Sequence, residues 1–345
     1  MKRQQGHMLN CRTGIRDGDA NMIVTVTLNP SLDRTIEVSQ LVPGAMMRAT
    51  GTWLDPGGKG VNVARALTVH GIPSCAVVPR NGAAGDELVA LLIAGGIDVR
   101  AVAVSGYTRS NVSLTEPDGT VTKVNEPGGQ LGEADLEDIV RTVLAAAEQA
   151  EWVVASGSLP PGVPDTFYAE LGHALRDLGV RFAVDTSGPA LRAALAAEPA
   201  LVKPNRDELA EFAGHPITTV ADVVRVAERM RRDGAGTVLA SLGADGAVLV
   251  DARGVRCGDS PVDGGGRSSV GAGDAMLAGF LAAGSTGGDA LVEALSWGAA
   301  AVRMPGSRMP APEDVDRSTV RLHQPPDLSR PLSGPHEVYG LEQIR

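Results

Sequence analysis

The stretch Ser268-Ser269-Val270-Gly271-Ala272-Gly273-Asp274 runs directly into the apolar segment Ala275-Met276-Leu277-Ala278-Gly279-Phe280-Leu281. A small, glycine-rich turn that opens an apolar helix presents unpaired backbone N–H groups at the positive end of the helix dipole, where phosphate oxygens bind. Here the turn ends in a carboxylate. A negative charge inside an anion cradle is useful if it takes a proton from the group that attacks the phosphate, so phosphoryl transfer with Asp274 as base is the first hypothesis. The alternative is structural, because Asp is a good helix N-cap and short Gly/Ala/Asp runs are common where loops become helices. The stretch alone does not choose between them.

Working outward, 345 residues suffice for one large α/β domain with a small appendage. Gly is abundant (43 residues) and aromatics make up only 3%, which suits closely packed strands and helices more than an aromatic-lined groove. The formal charge of −10 argues against a nucleic-acid partner or an anionic membrane surface, which need clustered Lys and Arg. Cys11, Cys75 and Cys257 form no CxxC or Cys/His cluster, so neither a zinc site nor a disulfide framework is indicated, and a reducing cytoplasm fits. His70, His173 and His215 show no ligand spacing. No run reaches the roughly 18 to 20 apolar residues of a membrane span, and the N-terminus lacks the apolar core of a signal peptide.

Residues 1–21 are polar and aperiodic and read as a disordered extension; the first strand pattern begins at Met22. Segments 35–54 and 108–125 hold short β-like pieces, the second a hairpin around Glu116-Pro117-Asp118-Gly119, and together they suggest a small paired flap. From about residue 130 strands and helices alternate regularly, which implies a mainly parallel, doubly wound sheet covered on both faces. The main domain spans 22–322. The proline-bearing tail 323–345 shows no periodicity and reads as a flexible end.

Sheets of this type bind ligands at the carboxyl ends of their strands. Polar or glycine-rich clusters fall just after five predicted strands: Asp33, Ser156-Gly157-Ser158, Asp185-Thr186-Ser187-Gly188, Lys203-Pro204-Asn205 with Glu208, and Ser241-Leu242-Gly243 with Gly246. Five such clusters on one edge, with the turn at Asp274, point to a nucleotide or phosphate site. Asn205 and Glu208 also have the spacing of a helix capping box. Gly57-Gly58-Lys59-Gly60 before a helix lets backbone approach a ligand closely. Ser241 to Gly246 lacks the spacing of a dinucleotide fingerprint, which disfavours dinucleotide binding, and no Lys follows Gly266 and Gly271 as a Walker A loop requires, which rejects a P-loop NTPase.

Thr27-Leu28-Asn29-Pro30-Ser31-Leu32-Asp33, Gly57-Gly58-Lys59-Gly60-Val61-Asn62-Val63-Ala64, Ser156-Gly157-Ser158-Leu159-Pro160, Lys203-Pro204-Asn205, Ser241-Leu242-Gly243 and Val270-Gly271-Ala272-Gly273-Asp274 resemble, in order, the motifs of the PfkB-type, ribokinase-like carbohydrate kinases. Lys59, Thr108-Arg109-Ser110-Asn111 and Asn125-Glu126-Pro127-Gly128 are most similar to bacterial 1-phosphofructokinases, with tagatose-6-phosphate kinases and minor 6-phosphofructokinases close by. The resemblance implies a doubly wound α/β domain, a small β-sheet lid over the sugar, a homodimer formed through that lid, and ATP- and Mg²⁺-dependent phosphorylation of fructose 1-phosphate. A catalytically silent sugar-phosphate sensor on the same fold is the alternative from another class.

Carried over residue by residue, the resemblance makes Asp274 the base and Gly271, Ala272 and Gly273 the anion hole. Asp33, Gly57, Gly58 and Asn62 would meet the sugar, and Lys59, Arg109 and Asn111 its phosphate. Lys203, Asn205, Ser241, Gly243 and Gly246 would line the ATP site, and Glu208 and Asp185 would act around Mg²⁺ through water. The family's β-branched strand before the anion hole is replaced by Gly264-Gly265-Gly266-Arg267, a departure expected to loosen that approach.

Overall fold

The computed structural model describes residues 22–262 and 268–334; the extension 1–21, the glycine run 264–266 and the residues from 335 onward lie outside the described residues. The chain begins with β1 (Met22–Val26), β2 (Ser31–Glu37), β3 (Gly51–Gly57), α1 (Lys59–Val69), β4 (Ser74–Arg80), α2 (Gly82–Ala94), β5 (Asp98–Ala103), β6 (Arg109–Thr115) and β7 (Val121–Asn125). Regular alternation follows: α3 (Glu133–Ala147), β8 (Ala150–Ser156), α4 (Phe167–Asp177), β9 (Arg181–Asp185), α5 (Gly188–Ala194), β10 (Leu201–Val202), α6 (Arg206–Ala213), α7 (Val220–Arg232), β11 (Thr237–Ser241) and β12 (Ala247–Asp251). The last elements are β13 (Gly254–Asp259), α8 (Ala272–Ala282), α9 (Gly287–Arg303) and β14 (Arg321–His323).

Ten strands form one sheet in the order β14-β13-β12-β11-β10-β9-β8-β1-β4-β5. From β11 through β5 all neighbours are parallel, while β12, β13 and β14 add an antiparallel edge. β1 lies between β8 and β4, so the chain leaves it in one direction and later returns on its other side. That reversal creates the crevice at the strand ends where a ligand binds. Side chains of β1 alternate between two cores. Ile23 packs with Val63, Trp152, Phe280 and Trp297, whereas Val24 and Val26 pack with Ile139, Tyr168, Leu171 and Val223. Both faces are covered, which is why the central strands read as nearly continuous apolar runs.

A Cβ on Gly279 would sit 2.8 Å from the Glu293 carbonyl oxygen and 2.9 Å from the Trp297 ring. This glycine therefore lets α8, which carries Asp274 in its first turn, approach α9 closely.

The second sheet has the order β3-β2-β6-β7. The two flap segments pair through β2 and β6, which run parallel, and β6–β7 is a hairpin closed by the Gly119 N–H to the Glu116 carbonyl at 3.0 Å. The tail departs from expectation. Residues 323–334 do not stand free: β14 pairs with β13, Leu332 is buried, and its N–H donates to the Thr218 carbonyl at 2.8 Å. Proline removes periodicity, but here the segment is held by another element's unpaired backbone, which composition cannot show. α2 begins at Gly82, earlier than the sequence suggests, because Gly82-Ala83-Ala84-Gly85 has loop composition yet supplies the helix's first turn.

Candidate active site

Asp274 is 7% exposed at the start of α8. Gly271 caps that helix at φ +77°, a left-handed conformation, and a Cβ there would lie 2.7 Å from Met309 Cε. Glycine is favoured here by the left-handed backbone, the flexible end of Met309 being able to shift. The first N–H groups of α8 have no acceptor within their own helix; that of Ala272 reaches the Ser269 carbonyl at 3.4 Å. Burial, and after it the charge of Asp185, push the Asp274 carboxyl up to about 6, against the pull of Lys203, Lys59 and the Asn62 hydrogen bond. A carboxylate poised there is suited to accept a proton near neutral pH.

Asn62, on α1, donates from Nδ2 to Asp274 Oδ2 at 2.9 Å. Its Oδ1 accepts from Arg65 Nη1 at 3.2 Å, and that fixes which end of the amide faces the carboxylate. Arg65 also reaches the Pro56 carbonyl, Ser307 and Asp55. Sequence reasoning missed Arg65, although its place three residues after Asn62 puts both on one face of α1.

Three predicted residues from separate strand ends converge beside the base. Asp185 is wholly buried at the end of β9; Lys59 Nζ lies 2.8 Å from its Oδ1 and Lys203 Nζ 3.1 Å from its Oδ2. Burial opposes the Asp185 charge, but the two lysines more than offset it and hold the carboxyl below its usual range. Burial likewise opposes the Lys59 charge, and Asp185 and Glu208 outweigh it, keeping the ammonium protonated. Lys203 Nζ sits 3.3 Å from where a Cβ on Gly273 would be, so its charge lies against the anion-hole turn.

Glu208 has two roles. With Asn205 it forms the capping box of α6, Asn205 N–H to Glu208 Oε2 at 2.8 Å and Glu208 N–H to Asn205 Oδ1 at 2.9 Å. Its other oxygen meets Lys59 at 3.2 Å. Among the described residues no group of three or more His, Cys, Asp or Glu converges as a metal cage. Asp185 and Glu208 are both engaged by lysine, so the donor set fits a hydrated Mg²⁺ reached through water and not one ligated directly by protein.

The lid brings a second set together. Asp33 and Asn111 are register partners on β2 and β6. Asn111 Nδ2 donates to Asp33 Oδ1 at 2.9 Å and to Ser31 Oγ at 3.0 Å, and the Ser31 hydroxyl donates to Asp33 Oδ1 at 2.6 Å. Asn111 Oδ1 is buried without a hydrogen-bond partner among the described residues, as is Thr27 Oγ1. A Cβ on Gly57 would fall 2.3 Å from the Asp33 carboxylate, and one on Gly58, at φ +118°, 2.8 Å from Thr27 Cγ2. The two glycines therefore allow the Gly57–Gly60 loop to close over this cluster. Arg109 donates to the Asn29 carbonyl at 3.2 Å and to the Glu126 carbonyl at 3.1 Å. Lys59 and Arg109, expected together on the phosphate, have different partners here.

On the opposite side, Ser241 N–H donates to the Pro204 carbonyl at 3.0 Å and Ser241 bridges Asn205, so the turn after β11 adjoins Lys203. Gly243 opens a short 3-10 turn at φ +61°. Gly246 has a structural reason to be glycine, since a Cβ would lie 2.0 Å from the Gly258 carbonyl oxygen of β13.

A glycine turn at a helix start, a buried carboxylate beside it and flanking lysines, on a doubly wound sheet with a polar lid, make an arrangement suited to phosphoryl transfer. Residues 26–312 match the pfkB family of carbohydrate kinases, and the chain belongs to that family. It is a sugar kinase, a phosphotransferase with an alcohol acceptor. It is 39% identical over 306 residues to the 1-phosphofructokinase of Rhodobacter capsulatus, covering 84% of this chain and 93% of that one. It is 38% identical over 259 residues to the ATP-dependent 6-phosphofructokinase isozyme 2 of Escherichia coli, covering 74% and 83%. The crystal structure of Escherichia coli phosphofructokinase-2 in complex with potassium superimposes with a TM-score of 0.80 at 34% identity, over 85% of this chain and 96% of that one. No helix among the described residues is long and apolar enough to cross a membrane.

Proposed function

We propose that the protein transfers the γ-phosphate of ATP to the C6 hydroxyl of fructose 1-phosphate, giving fructose 1,6-bisphosphate and ADP. The observation that carries this reading is the buried Asp274, tuned to about 6 and held by Asn62, at the mouth of the Gly271–Gly273 turn. The acceptor hydroxyl lies between Asp274 and the γ-phosphate and gives up its proton to the carboxylate as the bond to phosphorus forms. The amides of Gly271, Ala272 and Gly273, with Lys203, receive the charge that develops on the transferring group. Bound Mg²⁺ would neutralise charge between the donor phosphates, with Glu208 and Asp185 holding its waters.

Asp33 and Asn111 orient the sugar hydroxyls; the orphan Oδ1 of Asn111 accepts from one of them. Two N–H groups of Arg109 are used on carbonyl oxygens, and the rest of its fork meets the phosphate already on the sugar. Lys59 joins it by exchanging its carboxylate partners for that phosphate. Asn205, Ser241, Gly243 and Gly246 line the donor side. Closure of the four-stranded lid excludes water and so suppresses hydrolysis of ATP.

The lid face opposite Asp33 and Asn111 presents Ile36, Val112, Leu114 and Val124, with Val124 59% exposed. That apolar face supports a homodimer formed lid to lid, which sedimentation at micromolar concentration would show as twice the chain mass. The free, buried Cys75 and Cys257 fit a cytoplasmic enzyme.

The second acceptor reading, fructose 6-phosphate or tagatose 6-phosphate, is favoured by the 38% identity to a 6-phosphofructokinase. Coupled ADP release with the three sugar phosphates separates them. Highest kcat/KM on fructose 1-phosphate supports the proposal, and preference for either 6-phosphate defeats it.

A further inference from the structure

The match to the family ends at residue 312, yet the chain beyond it is tied to the donor side of the site. The Leu328 and Arg330 carbonyls accept from the Ala221 and Val220 N–H groups at 2.8 and 3.1 Å. Those are first-turn groups of α7, which have no acceptor within their own helix. Two side chains of the same segment converge on Asp245, which is 9% exposed. Arg330 Nη2 donates to the Asp245 carbonyl at 3.0 Å, and its Nη1 lies 3.6 Å from Asp245 Oδ1. Ser333 N–H donates to Asp245 Oδ2 at 2.9 Å and its hydroxyl to Oδ1 at 3.0 Å.

Asp245 ends the turn Gly243–Asp245 that joins β11 to β12. The start of that turn touches the Lys203 strand end through Ser241 and Pro204. Glycines flank it, Gly243 at φ +61° and Gly246 at φ +86°, and a turn bounded by glycines has many conformations open to it. A ligand that binds the backbone of the turn selects one of them. Bonds from outside the turn that select this conformation reduce the ordering cost of binding.

We propose that Asp245 is a positioning residue of the nucleotide subsite, and that residues 327–334 form a strap that sets the Ser241–Gly246 turn through Arg330 and Ser333. The proposal rests on the donor side being the ATP site. It makes the segment beyond the family match part of nucleotide recognition. It also predicts that strap changes act on ATP and leave the sugar phosphate alone, a selectivity that a merely stabilising strap would not produce.

The test uses the full chain with Arg330→Gln and Ser333→Ala combined, and with Ser333→Ala alone, an exposed position whose change leaves the core intact. A non-hydrolysable ATP analogue is titrated by calorimetry, and KM is measured for ATP and for fructose 1-phosphate. The combined variant should bind the analogue at least about fivefold more weakly and raise KM for ATP in step, as loss of charged hydrogen bonds implies. KM for fructose 1-phosphate should stay within about twofold. Unchanged analogue affinity, or equal increases in both KM values, overturns the strap proposal while leaving the kinase reading intact. Failure of the unaltered chain to bind the analogue overturns both. If the combined variant does not fold, a smaller rise in KM for ATP alone in Ser333→Ala supports the proposal and no rise defeats it.

Discussion

The Asn62 side-chain amide donates to the Asp274 carboxylate at 2.9 Å, joining the helix after the lid to the helix after the anion hole across 212 residues. In the proposed mechanism this bond couples the acceptor side of the site to the base. It is also one of the interactions that keep the base from rising further above its ordinary range.

The pH dependence follows from that balance. Asp274 must be ionised to accept a proton, and its carboxyl lies near 6 in the free protein. Plots of kcat/KM against pH should fall on the acid side with an apparent pKa of about 6, losing roughly tenfold per pH unit below it. A profile flat down to pH 4.5 would show that another group acts as base.

The same shift bears on stability. An unfolded Asp titrates near 3.8, whereas in the fold this group titrates near 6. Between these values the native chain binds more protons than the unfolded one, so stability is lost as pH rises through about 4 to 6. Asp274→Asn removes that cost and should raise stability at pH 7.5 by on the order of 1–3 kcal/mol, with the gain vanishing toward pH 4. Urea denaturation at both pH values measures it. A gain independent of pH would point to packing instead.

Arg65 acts through Asn62. Arg65→Gln frees the Asn62 amide to turn, weakens its bond to Asp274 and removes a nearby positive charge. The acid limb should then move to higher pH and kcat fall by about tenfold, with KM for ATP little changed. A fall in kcat without movement of the limb would make Arg65 structural only.

Gly57→Ala tests the acceptor side. The added Cβ would meet the Asp33 carboxylate at 2.3 Å, so loop or carboxylate must move. KM for the sugar phosphate should rise by at least about tenfold, corresponding to roughly 1.4 kcal/mol, while binding of an ATP analogue stays the same. Equal losses on both substrates would indicate general unfolding of the lid.

Much of this was legible in the sequence because its signals are local. The regular elements from α3 to β12 announce themselves by period, and Asp185, Lys203 and Ser241 by lying at the ends of apolar strands, whereas Asp33 stands inside the lid strand β2. β13 was not legible, because Gly254-Val255-Arg256-Cys257-Gly258-Asp259 interleaves glycine and charge and is strand through pairing with β12 and β14. The Lys59–Asp185–Lys203 cluster joins three strand ends, and spacing along the chain carries no sign of which side chains meet. Arg65 contacts Ser307 across 242 residues, and the strap on Asp245 is set by irregular backbone; neither leaves a periodic trace.

The base role of Asp274 is tested most directly by comparing ADP release with fructose 1-phosphate by the parent chain and by Asp274→Asn, alongside calorimetric binding of an ATP analogue to both. Turnover should fall by at least about a hundredfold while analogue affinity stays nearly the same. Turnover within about threefold of the parent, less than any general base contributes, would contradict it.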